Sequence, residues 1–213
     1  MVDLGKVFIL GDSYSTFENC IPEGYVPWYF NDIKNDTDVN NVNQTWWKQL
    51  LDSTNSDLVR NCSWSGTTIC NTGYGGDCSK ISFIARFEKL LSEGFFEKNK
   101  IDTFFVFGGT NDCWANAPIG ELMYSDWSRD DLFSVLPGAC YLMHILKTKL
   151  PQTRIIFIIN TDLKQAVSDG IKTACDKYGM EKIVLADIEK QSGHPNKAGM
   201  TGIKDQILKY LNN

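Results

Sequence analysis

Residues 7–15 read Val7-Phe8-Ile9-Leu10-Gly11-Asp12-Ser13-Tyr14-Ser15, and this stretch decides the fold. Four apolar residues run without interruption into Gly-Asp-Ser, the pattern of a buried strand that ends in a tight turn. Ser13 then sits at the carboxyl end of a strand. In open α/β sheets that edge is where ligands bind, because loops and helix N-termini with free backbone N–H groups gather there. Ser15 and Glu18, three residues apart, fit a capping box, so a helix is predicted just after the turn.

Working outward, the same alternation recurs along the chain. Residues 44–52, with Trp46, Trp47, Leu50 and Leu51 at helical spacing, predict an amphipathic helix, and 57–62 a second strand. Residues 80–93 repeat apolar side chains at Ile81, Ile84, Phe87 and Leu91 before Gly94, a helix with its stop. Residues 101–107 are almost continuously apolar, as a strand buried on both faces must be. A helical pattern over 131–150 is interrupted by Pro137-Gly138, which either starts the helix or kinks it. Strand 154–160, helix 163–178, strand 182–188 and helix 198–211 complete the series. Strands alternating with helices require a parallel sheet with right-handed crossovers, hence an α/β fold of the three-layer α/β/α sandwich type. The order of the strands does not follow from the pattern.

A chain of 213 residues, 43% hydrophobic, supports one well-buried domain spanning 1–213, with no linker or internal repeat. A net charge of -5 without clustered Lys or Arg argues against a nucleic-acid partner. The seven cysteines form no CxxC pair and there are two histidines, so no metal is expected and free thiols are the default. Cys62, Cys70 and Cys78 leave room for one disulfide. No run approaches the length of a membrane span, and the start lacks a secretory pattern. The expectation is a cytoplasmic protein, or a secreted one if a signal has been removed; the oligomeric state is open. The turn after the first strand lacks the run of glycines that would cradle a phosphate, so no cofactor is expected. The irregular segment 18–43 is predicted to loop over the surface. Its Tyr25, Trp28, Tyr29 and Phe30 either line a sugar site or cover the edge of the core.

Candidate chemistry follows from Ser13. A hydroxyl nucleophile needs a base, and the oxygen that becomes anionic needs preset hydrogen-bond donors. His194, in Gly193-His194-Pro195-Asn196, lies between the last strand and the last helix and so faces the edge that carries Ser13. His144 lies within an apolar helix, among Tyr141, Leu142, Ile145 and Leu146, and is assigned to structure.

Four blocks occur in order: Gly11-Asp12-Ser13-Tyr14-Ser15, Asn61-Cys62-Ser63-Trp64-Ser65-Gly66, Gly108-Gly109-Thr110-Asn111-Asp112 and Gly193-His194-Pro195-Asn196. Together they resemble the SGNH (GDSL-type) hydrolase family over almost the whole chain. The resemblance implies a flavodoxin-like five-stranded sheet of order 2-1-3-4-5. It also implies an oxyanion hole made by the backbone N–H groups of Ser13 and Gly66 and the side-chain amide of Asn111, with catalysis by Ser13 and His194. The family places an Asp three residues before the His, and this chain has Gln191 there. The imidazole could be oriented by Gln191, by Asp187 or Glu189, or by a backbone carbonyl that leaves a Ser-His dyad. The expected function is a serine esterase acting on a small acyl ester, above all an acetyl ester on a carbohydrate. The alternatives are a lipase or lysophospholipase of the same family, or a carbohydrate-binding protein with a weak or inactive site.

Overall fold

The computed structural model describes residues 2–213. Strands β1 (Lys6–Gly11), β2 (Asp57–Ser63), β3 (Thr103–Phe107), β4 (Arg154–Ile159) and β5 (Glu181–Val184) form one parallel sheet. Its order is β2-β1-β3-β4-β5, the order implied by the family resemblance. Apolar runs in these strands are continuous because successive side chains point to opposite faces and both faces are covered. On one face Phe8, Leu10, Phe104, Val106, Phe157 and Ile159 meet α2 (Phe83–Ser92), α5 (Val135–Lys149) and α6 (Gln165–Tyr178). On the other, Val7, Ile9, Phe105, Phe107, Ile156 and Ile158 meet α1 (Trp46–Thr54) and α7 (Lys197–Leu211). Two short helices, α3 (Phe95–Lys98) and α4 (Thr110–Trp114), fill connections. The result is the α/β/α sandwich. No helix among the described residues is long and apolar enough to cross a membrane.

Several local expectations are corrected. No capping box forms at Ser15 and Glu18. The turn after β1 is a single 3-10 turn, Ser13–Ser15, whose start is capped by Asp12 accepting from the Tyr14 N–H at 3.0 Å. Glu18 instead accepts from the backbone and side chain of Asn31 at 2.6 and 2.7 Å, pinning the long loop to its own beginning. The loop is not wholly superficial, for Tyr29 and Val39 are fully buried. Pro137 falls in the first turn of α5, where a missing N–H breaks no helical bond, so it starts the helix without kinking it.

Strand β5 ends at Val184, short of the expected Ile188: the Leu185 N–H still reaches the Ile159 carbonyl at 2.9 Å, and beyond it Gln206 of α7 takes over the hydrogen bonds of Ala186. It accepts from the Ala186 N–H at 2.9 Å and donates to its carbonyl at 2.7 Å, and Asp187 then turns the chain with φ +52°. All seven cysteines are free thiols, so the disulfide left open among Cys62, Cys70 and Cys78 is absent. Cys78 Sγ lies instead 3.1 Å from the Thr68 hydroxyl.

Candidate active site

The carboxyl ends of β1, β2 and β3 converge with the loop before α7. Ser13 Oγ lies 2.8 Å from His194 Nε2, although the two residues are 181 positions apart. His194 arrives on a two-residue antiparallel ribbon, Lys190–Gln191 against His194–Pro195, turned through Ser192 and Gly193 with φ of +48° and +78°. Two buried tyrosines hold this turn from below. Tyr14 donates to the Gly193 carbonyl at 2.6 Å, and Tyr29 to the Pro195 carbonyl at 2.9 Å. The imidazole lies under Trp28, with ring centroids 3.7 Å apart and planes 10° apart, and against the edge of Trp114 at 5.7 Å.

Protonation follows from the partners. His194 Nδ1 is 3.2 Å from the Ser192 carbonyl, which can only accept, so Nδ1 carries the proton and the lone pair of Nε2 faces Ser13. Burial lowers the imidazole pKa to about 4, which keeps the ring neutral at pH 7 and able to take a proton.

None of the three predicted side-chain orienters bonds to the ring. Gln191 is exposed and pairs with His194 only along the backbone of the ribbon; Asp187 is exposed and lies beside Gln206 and Lys209, past the end of β5. Glu189 is engaged by the Asn196 side chain at the start of α7. Of the alternatives read from the sequence, the backbone carbonyl is the one the coordinates place at Nδ1.

The three donors implied by the resemblance border the same cavity, of about 690 Å³, together with Trp28, Phe30 and Trp114. The N–H groups of Ser13 and Gly66 find no backbone acceptor among the described residues. Gly66 has φ +77°, and a Cβ built there would meet nothing within 4 Å. The glycine is therefore required by conformation rather than by crowding. Asn111, at the start of α4 after Gly109 (φ +99°), is 3% exposed, and its Nδ2 donates to the Thr67 carbonyl at 3.0 Å. His144 lies elsewhere, packed beside Trp127 with ring centroids 5.1 Å apart. The aromatic loop divides between its two readings: Trp28 and Phe30 line the cavity, Tyr29 is core, and Tyr25 stacks on Trp64 at 4.3 Å.

Beneath the cavity lies a polar layer that sequence reasoning missed. Arg86 of α2 is buried and donates to the carbonyls of Gly11 (3.1 Å) and Cys62 and to Thr67 Oγ1 (2.9 Å), tying together the ends of β1 and β2 and the Gly66 loop. Asn61 donates to the Ser15 carbonyl at 2.7 Å and accepts from Ser63 Oγ at 2.6 Å. Asp112 accepts from the N–H groups of Ile69 (2.9 Å) and Cys70 (3.1 Å), and burial pushes its carboxyl pKa up. Burial likewise raises Asp12 to about 7. The available signal was a charged residue, Arg86, on the apolar face of a predicted helix between Phe83 and Phe87.

Comparison with known proteins bears on the family and the fold. The family model of the GDSL-like lipase/acylhydrolases matches residues 5–211. A solved structure from Bacteroides ovatus, named as a GDSL-like lipase, is 40% identical with a TM-score of 0.92, covering 99% of each chain. One from Bacteroides uniformis, named likewise, is 42% identical with a TM-score of 0.90, covering 98% of this chain and 95% of its own. A family two carbohydrate esterase from Clostridium thermocellum, solved with cellohexaose, shares the fold at 15% identity and a TM-score of 0.63, covering 100% of this chain and 65% of its own. No curated protein matches the chain. A family model matched over residues 5–211, with two solved structures so named at 40% and 42% identity, makes this chain a member of the GDSL-like lipase/acylhydrolase family.

Proposed function

We propose that the protein is a serine esterase that cleaves small acyl esters, an acetyl ester on a carbohydrate above all, through an acyl-Ser13 intermediate. The observation that carries this reading is the 2.8 Å approach of Ser13 Oγ to the unprotonated nitrogen of His194. As Oγ attacks the ester carbonyl, its proton passes to Nε2, and the carbonyl oxygen becomes an oxyanion facing the N–H groups of Ser13 and Gly66 and the second N–H of Asn111 Nδ2. Collapse breaks the bond to the alcohol, which leaves with the proton from His194. Water, deprotonated by the same nitrogen, then releases the acid and restores Ser13.

A triad carboxylate normally holds the tautomer and stabilises the imidazolium. Here the Ser192 carbonyl holds the tautomer, and the faces of Trp28 and of the carbonyl dipole supply what stabilisation there is. The carbohydrate preference rests on the flat aromatic walls of the cavity and on the fold shared with a carbohydrate esterase. The uncharged acceptor at Nδ1 favours a second reading, a carbohydrate-binding protein with weak catalysis.

Turnover of a chromogenic acetyl ester and labelling by a fluorophosphonate separate the two. Rapid turnover and one adduct on Ser13, both lost in Ser13→Ala, support the esterase; an unlabelled, inactive protein that still binds oligosaccharide supports the second reading. A panel of acyl chain lengths, followed by acetylated sugars, then defines the substrate.

A further inference from the structure

The Asn111 side chain has a second partner outside the four sequence blocks. Tyr74 stands on the short ribbon of Thr72–Gly73 against Gly76–Asp77, a ribbon anchored where Cys78 N–H donates to the Asn71 carbonyl (2.8 Å) and Thr72 Oγ1 to the Phe133 carbonyl (2.7 Å). Its ring is 59% exposed at the mouth of the cavity, yet its hydroxyl lies 2.9 Å from the buried Oδ1 of Asn111. The chemistry of the partners settles which atom faces which. The Thr67 carbonyl only accepts, so the Asn111 atom 3.0 Å from it is Nδ2; Oδ1 therefore faces Tyr74, and the phenol must donate.

Each partner alone would leave the amide room to tilt about its last torsion, which is soft for an asparagine. Held at both ends, it keeps one orientation, with one Nδ2 proton on Thr67 and the other free. We infer that Tyr74 is a positioning residue, whose phenol locks the Asn111 amide with its free N–H turned toward the oxyanion site beside Ser13. The inference rests on the esterase reading, in which Asn111 is an oxyanion donor. Donation to Oδ1 also polarises the amide and strengthens its remaining N–H as a donor. Burial and the nearby Asp12 and Asp112 hold the Tyr74 phenol pKa above its usual value, so it remains a donor at any working pH.

The test is a double-mutant cycle on turnover of a chromogenic acetyl ester, with kcat and KM measured separately. Tyr74→Phe keeps the exposed ring, and a thermal melt verifies its fold. It is expected to lower kcat about three- to tenfold, the range of one neutral hydrogen bond, with KM within about twofold. Asn111→Ala is expected to lower kcat by about 10²–10³. In the Asn111→Ala background, removing the Tyr74 hydroxyl is expected to change nothing further. Wild-type kcat in Tyr74→Phe overturns the inference. So does an equal loss with or without Asn111, or a raised KM at unchanged kcat, which would make Tyr74 a substrate contact. Full turnover in Asn111→Ala is a different failure: it removes Asn111 from the oxyanion site and takes the inference with it, while Ser13 labelling continues to report on the esterase itself.

Discussion

Trp28 lies face to face on His194, with ring centroids 3.7 Å and planes 10° apart, while no carboxylate side chain among the described residues bonds to the imidazole. The ring is thus held by an aromatic face, a backbone carbonyl and the serine hydroxyl. An indole face also attracts the positive charge that the imidazole acquires when, in the proposed mechanism, it takes the proton from Ser13. A stacked aromatic pair contributes about 0.5–1.5 kcal/mol beyond its burial. Trp28→Leu is therefore expected to lower kcat about three- to tenfold, with Trp28→Phe intermediate. Steady-state kinetics on the acetyl ester check the order of the three proteins; equal rates would leave the stack without a catalytic role.

Gln191 occupies the position where the family carries an acid, yet it is exposed, and the Ser192 carbonyl already accepts from Nδ1. Gln191→Ala is expected to keep kcat within about twofold, since no bond to the ring is lost. A loss of about a hundredfold would return Gln191 to the site.

The pH dependence of stability separates two buried groups of opposite sign. His194 titrates at about 4 in the folded protein against 6.5 ordinarily, so unfolding between those values takes up a proton. Its contribution is complete above 6.5 and is lost as the pH falls toward 4. Asp12 titrates at about 7 when folded against 3.8 ordinarily, so unfolding releases a proton. That contribution is complete below 3.8 and is lost as the pH rises through 7. Between pH 4 and 6.5 the two slopes oppose each other and nearly cancel. Asp12→Asn is expected to leave the histidine slope exposed, with stability rising by roughly 2–3 kcal/mol from about pH 4.5 to 6.5; His194→Asn should show the reverse. Urea melts at the two pH values measure both, and parallel changes in the two variants would contradict the assignment. Turnover in the wild type should rise through about pH 4 and stay level to neutrality, because the proposed mechanism uses the neutral imidazole as base.

Arg86 is buried among carbonyls that it alone satisfies with charged donors at the ends of β1 and β2. Arg86→Leu removes the charged donors from those carbonyls, leaving Gly11 the Trp64 N–H at 3.1 Å, and is expected to cost about 3–5 kcal/mol, the scale of two hydrogen bonds from a charged donor. Chemical denaturation is the measurement; a loss below about 1 kcal/mol would mean that water or a neighbour takes over the bonds.

The site was legible in outline because its chemistry is marked by residues that turns demand and cores refuse. Ser13 follows a strand and a Gly-Asp turn, His194 follows a glycine, and Asn111 ends an apolar run, each out of place unless something uses it. The errors came where a distant partner overrode a local preference. Ser15 and Glu18 match a capping box, but Ser15 Oγ accepts from Trp46 Nε1 at 3.2 Å and Glu18 is taken by Asn31. Strand β5 is apolar enough to continue, yet Gln206 takes the hydrogen bonds of Ala186.

By itself the sequence determined the alternation of strands and helices, the burial of the sheet on both faces, and the candidacy of Ser13, His194 and Asn111, which border one cavity. These are set by the period of apolar residues and by the conformations that Gly, Pro and Asn permit, which act within a few positions. Only the tertiary structure decided that a carbonyl meets Nδ1, that Trp28 covers the ring, that Tyr74 grips Asn111 and that Arg86 binds the strand ends. All but the first, which spans a two-residue turn, join residues from 24 to 166 positions apart, as Arg86 to Cys62 and Trp28 to His194 do, and depend on how packed layers bring strand ends and loops within a few ångströms. No local pattern carries that geometry, because it arises from the fit of side chains across the whole core.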